Sequence, residues 1–331
     1  MSGRPPFALL FITLLCGCGR YRDFTLPEQP GGPSVHWKWQ ARAEPVLTRG
    51  AAGTWDSVDV LNPSVIRQGG AYYNLFSGYD GKTWHTGLAA SADGIAWRNE
   101  RLILSPESGT WEAGAIAANG AAVSEQSGIL YYYQAGAPPR IGLATFRNWR
   151  EYSRHPVPVL PLGPYGSWDE RGVADPYVIR AGENYYMFYL GQDRARRQRI
   201  GVAQSRDGVT WYKLRANPVL ELGEYGAFDA NGLGEPAVWA TLGYYWMLYT
   251  GRDAGEMRRL GLARSRDGVH WEKTPMVIAG DQAWDSKVIC DPTVIAHNDR
   301  VTVWFGGGDI AAPDQNVHGQ IGAGELVAAS N

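Results

Sequence analysis

The sequence of 331 residues predicts an all-β protein, a five-bladed β-propeller of four-stranded blades, on three observations. One pattern recurs five times, marked by an acidic or amide residue followed by Pro or Gly: Asn62-Pro63, Asn119-Gly120, Asp175-Pro176, Glu235-Pro236 and Asp291-Pro292. Successive markers lie 56–60 residues apart, in the range where periodicity signals solenoids or propellers. Each copy divides into short runs rich in Val, Ile, Tyr, Phe and Trp, separated by Gly, Asp, Asn and Pro, as strands and turns are. No long window carries a 3.6-residue apolar period, so helices are expected to be scarce.

Taken in order, the chain opens on a targeting signal. Arg4 precedes the apolar run Phe7–Leu15, the charged and apolar regions of a secretory signal. The run ends Leu15-Cys16-Gly17-Cys18, which resembles the bacterial lipoprotein signal with Cys18 as the lipidated residue. Residues 1–17 are then removed, and Gly19 after the cysteine leans toward the outer membrane or cell surface. Ordinary cleavage near Gly19 is the alternative. Residues 18–34, with Pro27, Pro30, Gly31, Gly32 and Pro33, are expected to form a tether. The propeller occupies 35–331.

Each copy begins with an apolar run (PSVIR, PYVIR, PAVWA, PTVIA). An aromatic run follows (AYYNLFSG, LYYYQAG, YYMFYLG, YYWMLYTG, VTVWFGG), then a Gly-centred one (TGLAAS, IGLATF, IGVAQS, LGLARS, IGAGEL). Most copies end in a turn and a Trp strand. The last copy stops after its third strand, at Gly322–Leu326. The stretch from Trp37 to Gly50 matches Trp211 to Gly223, the outer strand and exit of the third copy. The first propeller strand is therefore expected to complete the last blade and close the ring.

Composition narrows the function. A net charge of −2 with dispersed basic residues argues against nucleic acid. No apolar segment is long enough to span a bilayer, so membrane contact is expected through the lipid anchor only. With Cys16 lost and Cys18 acylated, Cys290 stands alone, expected as a small buried hydrophobe. No disulfide and no thiol nucleophile are expected, and the chain is expected to act as a monomer.

Strands of a meander alternate in direction, so connections sort onto two faces. The turns Ser91–Trp97, Ser205–Trp211 and Ser265–Trp271 fall on the far face. Their Asp-Gly pairs are what a tight hairpin needs. The near face carries the marker ring, expected at the starts of the first strands next to the axis. It also carries Trp55-Asp56, Trp111-Glu112, Trp168-Asp169, Phe228-Asp229 and Trp284-Asp285, read as braces of each blade. Asp80, Asp193, Asp253 and Asp309 end second strands there; His85, Arg140, Arg199 and Arg259 open third strands, with His318 nearby. A purely architectural ring would favour one residue type, yet the markers are Asn, Asn, Asp, Glu and Asp. Crowded carboxyls raise one another's pKa, which is how one pair becomes an acid and a base.

At these residues the chain resembles the five-bladed propeller glycosidases, the superfamily of glycoside hydrolase family 43 with its arabinanase, invertase and levansucrase relatives. The resemblance covers 35–331 and rests on NPSVIRQGGAYYNLFSG, ADPYVIRAGENYYMFYLG and GEPAVWATLGYYWMLYTG. It implies an extracytoplasmic glycoside hydrolase acting on a poly- or oligosaccharide. By that resemblance Glu235 is the general acid and Asp175 its pKa-tuning partner. The family's base, an Asp in the first blade, has no counterpart, because its position holds Asn62. Three readings stay open. Asp291, Asp59 or Asp56 takes the base role, Asp291 first. Alternatively phosphate attacks, as in a phosphorylase-like relative, with Arg140, Arg199 and Arg259 as its cradle unless these pair with Asp80, Asp193 and Asp253. In the third reading the chain is a non-catalytic carbohydrate-binding surface lipoprotein. Asn62, Asn119, Asp59, His85, Arg199, Arg259, Trp84 and Trp168 are the expected substrate contacts, with Trp111 a further stacking candidate. No cofactor is required, and a calcium ion on the axis with His318 beside it is implied only by the resemblance. The loops Gln192–Arg199 and Ile310–His318 decide between groove and pocket.

Overall fold

A computed structural model describes residues 20–329; residues 1–17 and Cys18 lie outside the described residues. Two short strands, β1 (Tyr21–Arg22) and β2 (His36–Ala41), precede a series of antiparallel meanders. The first comprises β3 (Asp59–Gln68), β4 (Ala71–Tyr79), β5 (Trp84–Ser91) and β6 (Arg98–Leu104). The second comprises β7 (Ala117–Glu125), β8 (Gly128–Ala135), β9 (Arg140–Asn148) and β10 (Glu151–Arg154). The third holds β11 (Gly172–Ala181), β12 (Asn184–Gln192), β13 (Gln198–Ser205) and β14 (Tyr212–Leu214). The fourth holds β15 (Gly232–Thr241), β16 (Tyr244–Arg252), β17 (Arg258–Ser265) and β18 (Glu272–Ile278), and the chain ends with β19 (Val288–His297), β20 (Arg300–Gly308) and β21 (Gln320–Ala329). Among the described residues there is no helix. β2 pairs antiparallel with β21, Trp37 facing Ala328 and Trp39 facing Leu326, so an early strand completes the last meander. One parallel pairing, Arg258 with Val288, joins the fourth meander to the last. The first strands touch in sequence, β3 with β7, β7 with β11, β11 with β15 and β15 with β19, and β19 touches β3.

The Gly-centred runs have a packing reason. Trp168 lies against the backbone of β12 and β13, and a methyl group on Gly191 or Gly201 would meet its ring. Trp55 sits likewise over Gly78 and Gly87, and Trp284 over Gly307 and Gly322. Each ring needs two neighbouring strands with little or no side chain at one level, so four copies carry glycine on both strands and the second carries Ala135 beside Gly142. The acidic residue after each ring is buried and bonded within its own meander. Asp169 accepts from Lys213 Nζ at 2.5 Å and Tyr189 Oη at 3.2 Å. Asp229 accepts from Lys273 at 2.6 Å and Tyr249 at 3.1 Å. Glu112 binds Arg154 and Tyr133. These groups are braces. A buried pair of this kind is costly to break from one side, by about 3–5 kcal/mol.

The far-face turns are built as their sequence suggests. Asp93, Asp207 and Asp267 each accept two backbone N–H groups from the following turn and a Ser hydroxyl from two residues before. In Asp93 those bonds hold the carboxyl down at about 2. Neighbouring meanders use the same turns as anchors: Trp304 Nε1 donates to Gly94 O at 2.7 Å, and Tyr132 Oη to Gly208 O at 2.7 Å.

The segment expected as a tether is packed instead. Tyr21 and Arg22 pair parallel with Lys213 and Leu214. Leu26 is buried against Gly268, and Tyr245 Oη donates to Pro27 O at 2.8 Å. The stretch runs from the outer strand of the third meander across the turns of the fourth, where Leu26 N–H donates to Asp267 O at 2.8 Å, Gln29 N–H to Arg266 O at 2.7 Å and Gly31 N–H to Gly243 O at 3.0 Å. Leu26 and Phe24, whose ring lies 6.0 Å from that of Tyr186, are the apolar contacts that the Pro- and Gly-rich composition conceals.

Candidate active site

All five markers share one backbone device. Asn62, Asn119, Asp175, Glu235 and Asp291 have φ between 47° and 52°, and at each the pairing of the first two strands slips by a β-bulge. The markers thus lie inside their strands rather than at the starts, which are two or three residues earlier. Left-handed φ is sparingly available to residues with a Cβ, and Asn and Asp tolerate it best. Four of the five positions obey that preference. Glu235 does not, and local strain of this sort collects at functional sites.

The bulges turn the five side chains toward one axial cavity, lined by the markers, the Pro or Gly after each, and Ser64, Tyr177 and Thr293. Adjacent markers are stitched together around it. Asn62 N–H donates to Asp291 Oδ2 at 3.2 Å, and Asp291 N–H to Glu235 Oε2 at 3.1 Å and Thr250 Oγ1 at 3.2 Å. Asn119 is fixed by Ser77 at 3.0 Å and reaches Asp175 Oδ1 at 3.5 Å. The Asn62 side chain lines the cavity with no hydrogen bond of its own among the described residues.

Asp175, Glu235 and Asp291 form an electrostatic unit. Burial, then the Glu235 charge, pushes the Asp175 carboxyl up to about 8. The same two causes push Asp291 well above the carboxylate range, although Cys290 Sγ–H donates to its Oδ2 at 3.0 Å. Asp175 and Asp291 therefore favour their protonated forms at neutral pH, and protons in such a cluster belong to the interacting sites together. This bears on the expectation of Asp291 as the base: with its carboxyl raised it already holds a proton at neutral pH and can accept one only after ionising. The countercharge is Arg258, buried beside Cys290, Glu235 and Asp291. Sequence reasoning singled out its neighbour Arg259 and missed Arg258; in a strand adjacent residues face opposite sides. The signal was the second arginine at the opening of β17, where the other copies have Trp84, Pro139, Gln198 and Gly319.

Other expected contacts stand elsewhere. Arg199 bonds Asp193 at 3.1 Å and Glu221 at 3.3 Å, and Arg259 bonds Asp253 at 3.1 Å, so both guanidiniums are spent on local pairing. His85 is held by Ser105 at 2.8 Å and lies 3.5 Å from Asp80. Trp168 is a packing residue, as its glycine contacts show. Trp84 is buried, stacked on Tyr79 at 4.9 Å, with Nε1 donating to Gln315 at 3.4 Å. Asp59 is buried and accepts the N–H groups of Asn316 at 2.6 Å, Val317 at 3.1 Å and Gly319 at 2.8 Å. It anchors a loop and has no capacity left for substrate. Asp56 is likewise buried, accepting from Thr54 at 2.7 Å.

A calcium ion does not fit these residues. His318 pairs with Asp309 at 2.8 Å on an exposed loop, away from the trio. The close donor set on the axis is Glu235, Cys290 and Asp291, which offers a thiol where calcium takes oxygen and already has Arg258 as its cation.

No known protein-family profile matches the sequence. An uncharacterized protein of Mycobacterium tuberculosis is 32% identical over 158 residues, 45% of this chain and 52% of that protein. Sucrose-6-phosphate hydrolase of Salmonella typhimurium is 28% identical over 162 residues, 47% of this chain and 31% of that protein. The chain thus spans about half the length of the mycobacterial relative it matches. Solved structures are similar over most of the chain. A glycosyl hydrolase from Bacteroides ovatus aligns with a TM-score of 0.70 at 15% identity, covering 90% of this chain and 96% of that one. A family 117 glycoside hydrolase from Zobellia galactanivorans gives 0.64 at 16%, covering 89% and 90%. The β-1,2-mannobiose phosphorylase from Listeria innocua gives 0.65 at 11%, covering 82% and 90%. The chain has a propeller-type fold. At these identities the likeness is one of fold, and a fold hosts many activities.

Proposed function

We propose that this chain is a five-bladed propeller glycoside hydrolase that cleaves glycosidic bonds of a poly- or oligosaccharide. The observation that carries the reading is Glu235, a glutamate in a left-handed bulge where Asn or Asp is the comfortable choice, coupled to two carboxyls that hold protons. Glu235 is the general acid. It donates to the departing glycosidic oxygen, and Asp175 and Asp291 keep the shared proton available near neutral pH. Asp175 and the free Asn62 amide orient the sugar. The five meanders, each contacting the next, support the closed ring, and the pairing of β2 with β21 supplies its closure. The fold shared with glycosidases adds support.

Hydrolysis is favoured over phosphorolysis because Arg199 and Arg259 are held by carboxylates and neither lines the axial cavity. We further propose that Cys18 carries a lipid anchor at the outer membrane or cell surface. Since Tyr21 is already paired in β1, such an anchor would hold the body against the membrane rather than on a long leash.

The test incubates the purified full chain with aryl furanosides, aryl pyranosides and a panel of glycans, with and without phosphate, beside Glu235→Gln. Sugar release that disappears in the variant, with folding and sugar binding kept, is the expected result. A fully active variant removes the mechanism, and phosphate-dependent release redirects it to phosphorolysis.

A further inference from the structure

The trio supplies an acid, but Asn62 leaves no base in the family's position, and Asp291, Asp59 and Asp56 are each buried and engaged. The connection between the second and third strands is four or five residues long in the first four meanders. In the last it is eleven, residues 309–319. This loop leaves β20, and residues of both neighbouring meanders grip it, among them Arg258, the cation beside Glu235 and Asp291. Arg258 Nη2 donates to Ala312 O at 3.0 Å and to Pro313 O. Asp59 collects the N–H groups of Asn316, Val317 and Gly319, and Trp84 reaches Gln315. His318 and Asp309 latch the base of the loop at 2.8 Å. Asp314 is caught between the two grips, one residue from Pro313 and two from Asn316, where the chain moves at most about 3.5 Å per residue. It is exposed and makes no hydrogen bond or ion pair among the described residues.

We propose that Asp314 is the water-activating base of this site, carried on the loop of the last meander in place of the residue that Asn62 replaces. This rests on the hydrolase reading. Asp314 removes a proton from a water whose oxygen bonds to the anomeric carbon. The bond from that carbon to the leaving oxygen breaks with its electron pair on the oxygen, which takes the proton of Glu235. Exchange with solvent returns Asp314 and Glu235 to their starting states. An acid inside the cavity and a base on a loop held by Arg258, the cation of that acid's own cluster, suit the wider carboxyl spacing of an inverting glycosidase, about 6.5–9.5 Å. The Asp314 charge also reaches Asp175, where it adds to the upward push on that carboxyl. Arg258 and Asp59 are positioning residues, acting through the loop.

The experiment uses the full chain and the aryl glycoside it cleaves, as 4-nitrophenyl and 2,4-dinitrophenyl forms. Asp314→Asn should lower kcat by about 10²–10⁴-fold on both, with KM little changed and an unaltered melting curve. Sodium azide should restore turnover and yield a glycosyl azide of inverted configuration. Glu235→Gln should behave differently, losing far more activity on the 4-nitrophenyl than on the 2,4-dinitrophenyl substrate. Asp59→Asn should lower kcat and speed proteolysis within 309–319. Asp314→Asn with kcat within about threefold of wild type, or a loss confined to KM, overturns the assignment while leaving the hydrolase reading intact. A wild-type chain that cleaves nothing overturns both.

Discussion

Replacing Glu235 by Asn separates architecture from function, because the two readings give stability changes of opposite sign. At φ 51° an ordinary side chain costs about 1–2 kcal/mol relative to a right-handed conformation, and Asn pays least. The bond lost is Asp291 N–H to Glu235 Oε2, at 3.1 Å. That N–H keeps Thr250 Oγ1 at 3.2 Å, so no buried donor is orphaned and the loss stays below about 1 kcal/mol. The Glu235 charge that raises Asp175 and Asp291 also disappears. The sum is a gain of about 1 kcal/mol, or a rise in Tm of about 1–2 °C for a chain of this size. Turnover should meanwhile fall by at least about 10²-fold. Urea denaturation at pH 7, followed by tryptophan fluorescence, measures the first and aryl-glycoside release the second. A variant destabilised by more than about 1 kcal/mol would mean that Glu235 holds the ring together, and the argument from strain would be refuted.

Other expectations follow from the same geometry. Asp175 binds protons more tightly folded, at about 8, than at its ordinary 3.8. Its stabilising effect is thus complete below about pH 4 and is lost as pH rises to about 8, with a slope of up to about 1.4 kcal/mol per pH unit. Asp175→Asn should flatten urea midpoints measured from pH 5 to 8; a wild-type chain equally stable across that window contradicts the shift. Lys213→Ala strands the Asp169 carboxylate in the core, and a loss of about 3–5 kcal/mol is expected; a drop under 1 kcal/mol by the same titration would show that the brace carries nothing. Gly191→Ala places a methyl group in the Trp168 ring and should cost about 1–3 kcal/mol, read as a lower Tm, while the neutral outcome would mean that the ring swings aside.

Much of the fold was legible because each copy repeats its reasons. Glycines that make room for a Trp, Asp-Gly turns and aromatic runs recur at fixed offsets, so one copy corroborates another. What recurs only once was harder. Phe24 and Leu26 are isolated apolar residues ahead of a run of prolines, and only their contacts with Tyr186 and Gly268, with the pairing of β1, turn a tether into packed chain. Arg258 and Arg259 are adjacent, and which one lies beside Glu235 and Asp291 depends on a register that periodicity fixes only to within a residue. The marker ring was found for its varied chemistry, but its backbone conformation was not. Asn or Asp before Pro reads as a strand opening, and the pairing slip that makes it a bulge shows only in three dimensions.

Repetition builds the scaffold, and the places where it fails carry the chemistry. Glu235 breaks the Asn/Asp rule of the bulges. Arg258 breaks the uncharged series Trp84, Pro139, Gln198 and Gly319 at the openings of the third strands. The loop 309–319 breaks a series of connections four or five residues long. These three departures are far apart in sequence and arise for different local reasons, yet they converge. Arg258 lies beside Glu235, holds the loop by two carbonyls, and so ties the loop to the glutamate in the cavity. A scaffold under no demand beyond stability would have kept the shorter turn, the cheaper bulge residue and no buried arginine. Departures that are each costly, and that are linked through Arg258 to one carboxyl, are what the proposed catalytic site would impose on a repeating fold.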